Sequence, residues 1–276
     1  MDAEKRKELE RFALEIRIGM LEEFKARGFG HVGGSLSIAD ALSVLYKTQM
    51  RFDPQNPSWP ERDKLVCSKG HAGPAVYATL ALLGYFPYEW LKTLNQPGTL
   101  LPSHCDRNKT PGIDMTTGSL GQGTSLACGM AFGERLRGRD TRIFLIVGDG
   151  EANEGQVWEA CMFAAAKKLG NLVLLMDVNG KQLDGCTQDI LDTLDLGAKL
   201  EAFGFDTVRV DGNDVGALYD ALERTRAGGD KPYAIVMNTI KGKGVPGVEN
   251  AKSNHSMTAP KEQWETWQQE LIAQLD

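Results

Sequence analysis

Between Phe144 and Gly155 the chain reads FLIVGDGEANEG, four apolar residues running straight into Gly-Asp-Gly before the polarity reverses. A continuous apolar run of this kind suits a strand covered on both faces of a parallel sheet. An aspartate between two glycines at its end puts a carboxylate where open α/β sheets bind ligands. The form recurs, because Leu172–Met176 runs into Asp-Val-Asn and sets Asn179 thirty positions after Asp149. That is the length of a strand–helix–strand crossover, which returns the chain to the same sheet edge. A carboxylate, an amide oxygen and a backbone carbonyl brought together there make a hard, all-oxygen partial shell. It suits Mg2+ or Ca2+, with phosphate oxygens and water completing the coordination. Gly148 and Gly150 let the main chain approach a diphosphate with N–H groups turned toward it. Taken singly, Gly-Asp-Gly and Asn179-Gly180 read as ordinary turns with Asx hydrogen bonds; the crossover spacing of the two together favours the metal site.

Around this pair the hydrophobic pattern alternates between periods. An amphipathic helix is expected over 3–27, with Leu9, Phe12, Ile16, Met20 and Phe24 on one stripe, and GFGHVGGS breaks it. Ser37 is the expected N-cap of a second helix over IADALSVLYKTQM, with Asp40 in its first turn. Strands are expected at KLVCS, RIFLIV, NLVLLMDV, DTVRV and YAIVMNT, with helices between them and a final helix over PKEQWETWQQELIAQL. Residues 96–120, the segment after Asn179 and KGKGVPGVENAKSNHS read as loops. The alternation argues for an α/β fold with a mostly parallel sheet. With no repeat and no long linker, residues 1–276 are expected to form a single domain, with a helical N-terminal extension (about 1–50) and a C-terminal helix (about 260–275).

Other readings fall away on context. Gly28-Phe-Gly30-His-Val-Gly33 spells G-x-G-x-x-G, but it follows a long helix where a dinucleotide fingerprint must follow a strand. The phosphate-loop signature does not occur. A net charge of -6 gives no footprint for nucleic acid or anionic lipid, and no apolar run approaches a membrane span. The start, MDAEKRKELERF, is charged and helical rather than a signal peptide, so a cytoplasmic location is expected. The five scattered cysteines contain no C-x-x-C pair and read as reduced thiols. All four histidines, His31, His71, His104 and His255, stand in Gly-, Ser- or Pro-rich segments rather than in predicted element cores.

These segments resemble a known family. GDGEANEG followed by MDVNG is similar to the thiamine diphosphate binding motif, which opens with Gly-Asp-Gly and closes with Asn. GHVGGSLS, SKGHAGPAVYATLALLGY, TTGSLGQGTSLACGMAFGE, VDGND and IKGKG narrow the resemblance to transketolase, in order and spacing from about residue 10 to about 260. The resemblance implies the thiamine diphosphate-binding fold, a mostly parallel sheet with helices on both faces. It implies the first of transketolase's three domains, the N-terminal diphosphate-binding subunit of a split enzyme. Carried over residue by residue, it makes Asp149, Asn179 and the carbonyl of Lys181 the ligands of Mg2+ (or Ca2+). His71, the stretch Gly118, Ser119 and Leu120, Gly150, Asn179 and His255 would contact the cofactor's diphosphate and thiazolium side. His31 and His104 would face the sugar, completing with His71 and His255 four catalytic candidates, and Glu154 and Glu159 match acidic residues that meet across a subunit interface. The sequence departs from the family where HVGG replaces His-Pro-Gly and where the loop around His104 lacks Gly-His-Pro-Glu.

The implied reaction moves a two-carbon glycolyl unit from a ketose or ketose phosphate to an aldose, with the cofactor's thiazolium supplying the difficult chemistry. The glutamate that bonds the cofactor's aminopyrimidine lies in the family's following domain, which no segment here resembles. The chain is therefore expected to be active only with a C-terminal pyrimidine-binding subunit, in a heterotetramer. Three alternatives stay open: a 1-deoxyxylulose-phosphate synthase-like protein, a 2-oxoacid dehydrogenase component, and a non-catalytic regulatory homologue. The sugar, whether pentose phosphate, apulose phosphate or sulfo-sugar, is not specified by these residues.

Overall fold

The computed structural model describes residues 1–275. Asp2 starts the first helix, α1 (Ala3–Arg27), by accepting the Lys5 N–H. Gly28 ends it in the left-handed conformation (φ 82°), its N–H returning to the Phe24 carbonyl. The predicted stripe from Leu9 to Phe24 is buried along its whole length.

The next segment departs from expectation. After a short strand, β1 (Phe29–Gly30), His31 opens a helical turn, α2 (Val32–Leu36), in place of the expected loop. Ser37 closes α2 instead of capping the following helix, and its hydroxyl donates to Asp177. A bond to a buried carboxylate is charge-assisted and outcompetes a neutral cap. The second helix, α3 (Ala39–Val44), begins after Ile38 and widens into a π turn over Leu45–Gln49.

The later elements keep the predicted order: β2 (Lys64–Cys67), α4 (Gly73–Leu82), α5 (Gln122–Leu136), β3 (Ile143–Gly148), α6 (Gly155–Ala166) and β4 (Leu172–Val178). There follow α7 (Thr187–Leu191), α8 (Leu196–Phe203), β5 (Asp206–Asp211), α9 (Val215–Arg224), β6 (Tyr233–Asn238), α10 (Pro246–Glu249), β7 (Met257–Thr258) and α11 (Lys261–Ile272). The short helices α7 and α10 lie in segments that read as loops. They are too brief for a periodic pattern to show. Among the described residues no helix is long and apolar enough to cross a membrane.

Five strands make one parallel sheet in the order β2-β3-β4-β6-β5, and β1 pairs antiparallel with β7 outside it. Phe144, Ile146, Val173 and Leu175 enter the core beneath α1, α3, α4 and α9. Leu145, Val147, Leu174 and Met176 enter a second core beneath α5, α6 and α8. Helices on both faces are why β3 and β4 are apolar without alternation. Gly148 and Asp177 are the last in-register pair of β3 and β4, so Asp149 and Asn179 leave the same sheet edge side by side.

Candidate active site

The tips of β2, β3, β4 and β6 open into one cleft. Eleven of the residues singled out from the sequence line it: His31, His71, His104, His255, Gly118, Leu120, Gly148, Asp149, Gly150, Asn179 and Lys181. Ser119 is exposed and does not line the cleft, whereas its neighbours Gly118 and Leu120 do. Glu154 and Glu159 are also exposed, at the head of α6 and outside the cleft.

The two turns at the strand tips are joined. Asp149 Oδ1 accepts the Gly150 N–H at 2.8 Å, while Oδ2 accepts the Gly180 N–H at 2.7 Å. The Asn179 amide is held from two sides: its NH2 donates to Asp177 Oδ2 at 2.8 Å, and its Oδ1 accepts the Lys181 N–H at 3.2 Å. Lys241 Nζ donates to the Lys181 carbonyl at 2.8 Å and stands 3.4 Å from His255 Nδ1. The Asx turn of the simpler reading is present at Asn179, whereas Asp149 bonds the next residue's N–H and reaches across to Gly180, so the two turns stand side by side in one cleft. Gly150 is demanded by the protein itself, since a Cβ there would fall 2.7 Å from Gln182 Cβ.

Charge in the cleft is unbalanced in a telling way. Burial, reinforced by Asp177, raises the Asp149 carboxyl above the usual carboxylate range. Burial and the neighbouring Lys69 lower the Lys241 ammonium to about 8. A nearby cation would favour the ionised form of such a carboxyl, and a nearby anion the protonated form of such an amine. A divalent cation carrying a diphosphate supplies both, so the donor set fits such a group. Among the described residues no three His, Cys, Asp or Glu side chains are grouped to hold a metal unaided. A cation held here would need amide, carbonyl and phosphate oxygens beside the one carboxylate.

The four imidazoles form one cluster. Ring centroids lie 4.6 Å apart for His71 and His255, 5.5 Å for His31 and His255, and 5.6 Å for His31 and His104. The contacts that assemble them are long-range. The Gly33 N–H donates to the Asn254 carbonyl at 3.0 Å, and Asn254 Nδ2 donates to the carbonyls of Lys241 and Val248. Burial lowers all four rings: His71 well below its usual value with help from Lys69, His255 to about 4 with help from Lys241, and His31 and His104 as well. Each is neutral near pH 7 and offers one donor and one acceptor.

Several residues of the site escaped the sequence reading. Lys69, Glu151, Gln182, Leu183 and Lys241 also line the cleft. Glu151 accepts from the Ser68 hydroxyl, from the Gly121 N–H at 2.8 Å and from the Gly148 N–H at 3.1 Å. It ties the head of α5 to the end of β3 behind the Gly-Asp-Gly turn. Asp177 lies underneath, fully buried. An acidic residue in an otherwise apolar strand, two positions before Asn179, is a signal that marks it.

Comparison with known proteins places this geometry. The family described as "Transketolase, thiamine diphosphate binding domain" matches residues 9–271. The chain is 49% identical over 269 residues to the 6-deoxy-6-sulfo-D-fructose transketolase subunit of Clostridium sp. strain MSTE9, covering 98% of each protein. It is 40% identical to one of the apulose-4-phosphate transketolase subunits of Actinobacillus succinogenes, covering 90% of each. Against human transketolase the identity is 36% over 99% of this chain but only 44% of that protein. The transketolase structure from Campylobacter jejuni superposes with a TM-score of 0.89 at 30% identity, covering all of this chain and 43% of that one. The Leishmania mexicana enzyme gives 0.88 at 32%, covering 97% and 41%.

Proposed function

Because this chain belongs to the transketolase family, through its thiamine diphosphate-binding domain, we propose that it works as the N-terminal subunit of a transketolase divided between two polypeptides. It takes part in moving a two-carbon glycolyl unit from a ketose, or ketose phosphate, to an aldose. One observation carries the reading: residues from His31 to His255 converge on a single cleft that brings four imidazoles beside Asp149, Asn179 and Lys181.

The bound cofactor supplies the carbanion chemistry at its thiazolium ring. Asp149, Asn179 and the Lys181 carbonyl hold Mg2+ (or Ca2+). Gly118, Leu120, Gly150, His71 and His255 line the place of the diphosphate and thiazolium, and Lys241 adds the positive charge that a diphosphate balances. His31 and His104 take the sugar hydroxyls, their neutral rings able to accept a proton and return it. Glu154 and Glu159, exposed on α6, meet another subunit. The glutamate that bonds the aminopyrimidine comes from a C-terminal transketolase subunit, and two such pairs form a cytoplasmic heterotetramer. The donor to test first is 6-deoxy-6-sulfo-D-fructose, on the strength of the 49% identity to a subunit named for it. Apulose 4-phosphate and a pentulose phosphate come next.

The test is reconstitution. The pair of subunits should bind thiamine diphosphate in a Mg2+-dependent manner and transfer glycolyl units, and Asp149→Ala should lose that Mg2+ dependence. Ketose turnover by this chain alone would refute the divided site. A pair that binds no cofactor would refute the whole reading, and pyruvate-dependent turnover would point to a 1-deoxyxylulose-phosphate synthase activity instead.

A further inference from the structure

Asp177 sits beneath the cleft and carries more side-chain hydrogen bonds than any residue lining it. Lys69 Nζ at 2.6 Å, Asn179 Nδ2 at 2.8 Å and Ser37 Oγ at 2.9 Å all reach its Oδ2, and Thr239 Oγ1 reaches its Oδ1. Lys69 is equally committed, since its ammonium also donates to the Gly34 carbonyl at 2.6 Å and to Ser37 Oγ at 3.3 Å. Its charge is held at the wall of the cleft and balances Asp177.

The orientation of Asn179 follows from these bonds. A carboxylate has no proton to give and only accepts, so the side of the amide that meets it must be the NH2. The amide oxygen is thereby turned the other way, to the Lys181 N–H and the cleft. Nothing else bonded to Asn179 imposes that choice as firmly, because a backbone N–H at 3.2 Å is a longer contact than the 2.8 Å charge-assisted one. We propose that Asp177 is a positioning residue: it selects which face of the Asn179 amide meets the cation. This rests on the reading of the site given above. The same carboxylate holds Ser37 at the end of α2 and Thr239 beyond β6, so it also keeps the helix headed by His31 at a set distance from that amide.

The substitution Asp177→Asn tests the selection. The new side chain has one acceptor oxygen, for which Lys69 competes, and it can turn an NH2 toward Asn179. The Asn179 amide then does best to rotate and offer its oxygen inward, away from the cleft. In the reconstituted enzyme with thiamine diphosphate, Mn2+ binding followed by electron paramagnetic resonance should weaken by about tenfold or more. Excess Mn2+ should restore cofactor occupancy and most of kcat, since the loss lies in cation affinity. Ser37→Ala and Thr239→Val remove one donor each but leave the carboxylate, and should shift Mn2+ affinity by less than about twofold. Unchanged Mn2+ affinity in folded Asp177→Asn enzyme, equal losses in all three variants, or no rescue by excess Mn2+ would each overturn the proposal. Should Asp177→Asn fail to fold, selective 15N-asparagine labelling of the unsubstituted chain decides. The Asn179 side-chain amide protons should exchange slowly before any cation is added, and fast exchange would overturn the selection. An unsubstituted enzyme that binds no Mn2+ at all would instead bring down the reading of the site beneath it.

Discussion

Asp177 at the end of β4 and Glu23 in α1 are both sealed from solvent, and their surroundings could hardly differ more. Four side-chain donors converge on Asp177, one of them the ammonium of Lys69. Among the described residues Glu23 has no hydrogen-bond partner for either oxygen. Burial pushes both carboxyls up. At Asp177 the Lys69 charge and the hydrogen bonds outweigh burial and hold it below the ordinary range. At Glu23 burial acts unopposed, and the carboxyl rises well above that range. The groups that feel Glu23 are the phenols of Tyr77 on α4 and Tyr88 on the turn after it, neither of which offers a positive charge. Charge survives burial where the chain has built a cage for it, and that cage lies under the cleft. Where no cage exists, burial pushes the same chemical group toward its neutral form.

The comparison can be broken or sharpened by altering each region in turn. The largest effect is expected from Lys69→Met, which leaves Asp177 buried without its counter-charge. Urea denaturation at pH 7 should show a loss of about 3–5 kcal/mol, and a variant as stable as the parent would mean the three neutral donors suffice. Next comes Glu23→Met, which removes an unsatisfied buried carboxyl while keeping its length. It should stabilise the chain by about 1–3 kcal/mol at pH 8. The gain should also depend on pH. Below the unfolded carboxyl's value of 4.5 the group is protonated in both states and contributes no difference. As pH rises past it the unfolded chain releases the proton before the folded chain does, so the parent loses stability and the variant does not. A gain that is flat from pH 4 to pH 8 would show that Glu23 has found a partner. The smallest effect belongs to Thr239→Val, one neutral donor among four, with an expected loss of about 1 kcal/mol in the same denaturation experiment. A loss as large as that of Lys69→Met would show that the cage acts as one unit.

The contrast also marks where sequence reading reaches its limit. The strand tips are readable because their signals are local: apolar runs at Phe144–Val147 and Leu172–Met176, each closed by a polar residue at crossover spacing. The histidines are readable because glycine, serine and proline around them announce loops. Glu151 is not, though it stands inside the Gly-Asp-Gly motif, because its partners Ser68 and Gly121 are distant in the chain. Lys69 stands two residues before His71 in SKGH, and its neighbours in sequence give no hint that it reaches Asp177. Ser37 reads as a helix cap because a serine before an apolar run usually is one, and a carboxylate from β4 displaces that role. Glu23 sits beside the buried stripe of α1, where its composition predicts solvent and its packing excludes it.

By itself, then, the sequence determined the alternation of strands and helices, the two-faced sheet and the residues that gather at its carboxyl edge, because periodicity and turn chemistry act over a few residues and the crossover has a set length. It also carried the motifs that assign the chain to its family. Only the tertiary structure decided which way Asn179 points, which buried carboxylate keeps its charge, and that Lys241 stands over the Lys181 carbonyl. Those outcomes depend on desolvation and on partners drawn from opposite ends of the chain, and neither quantity exists until the chain has folded.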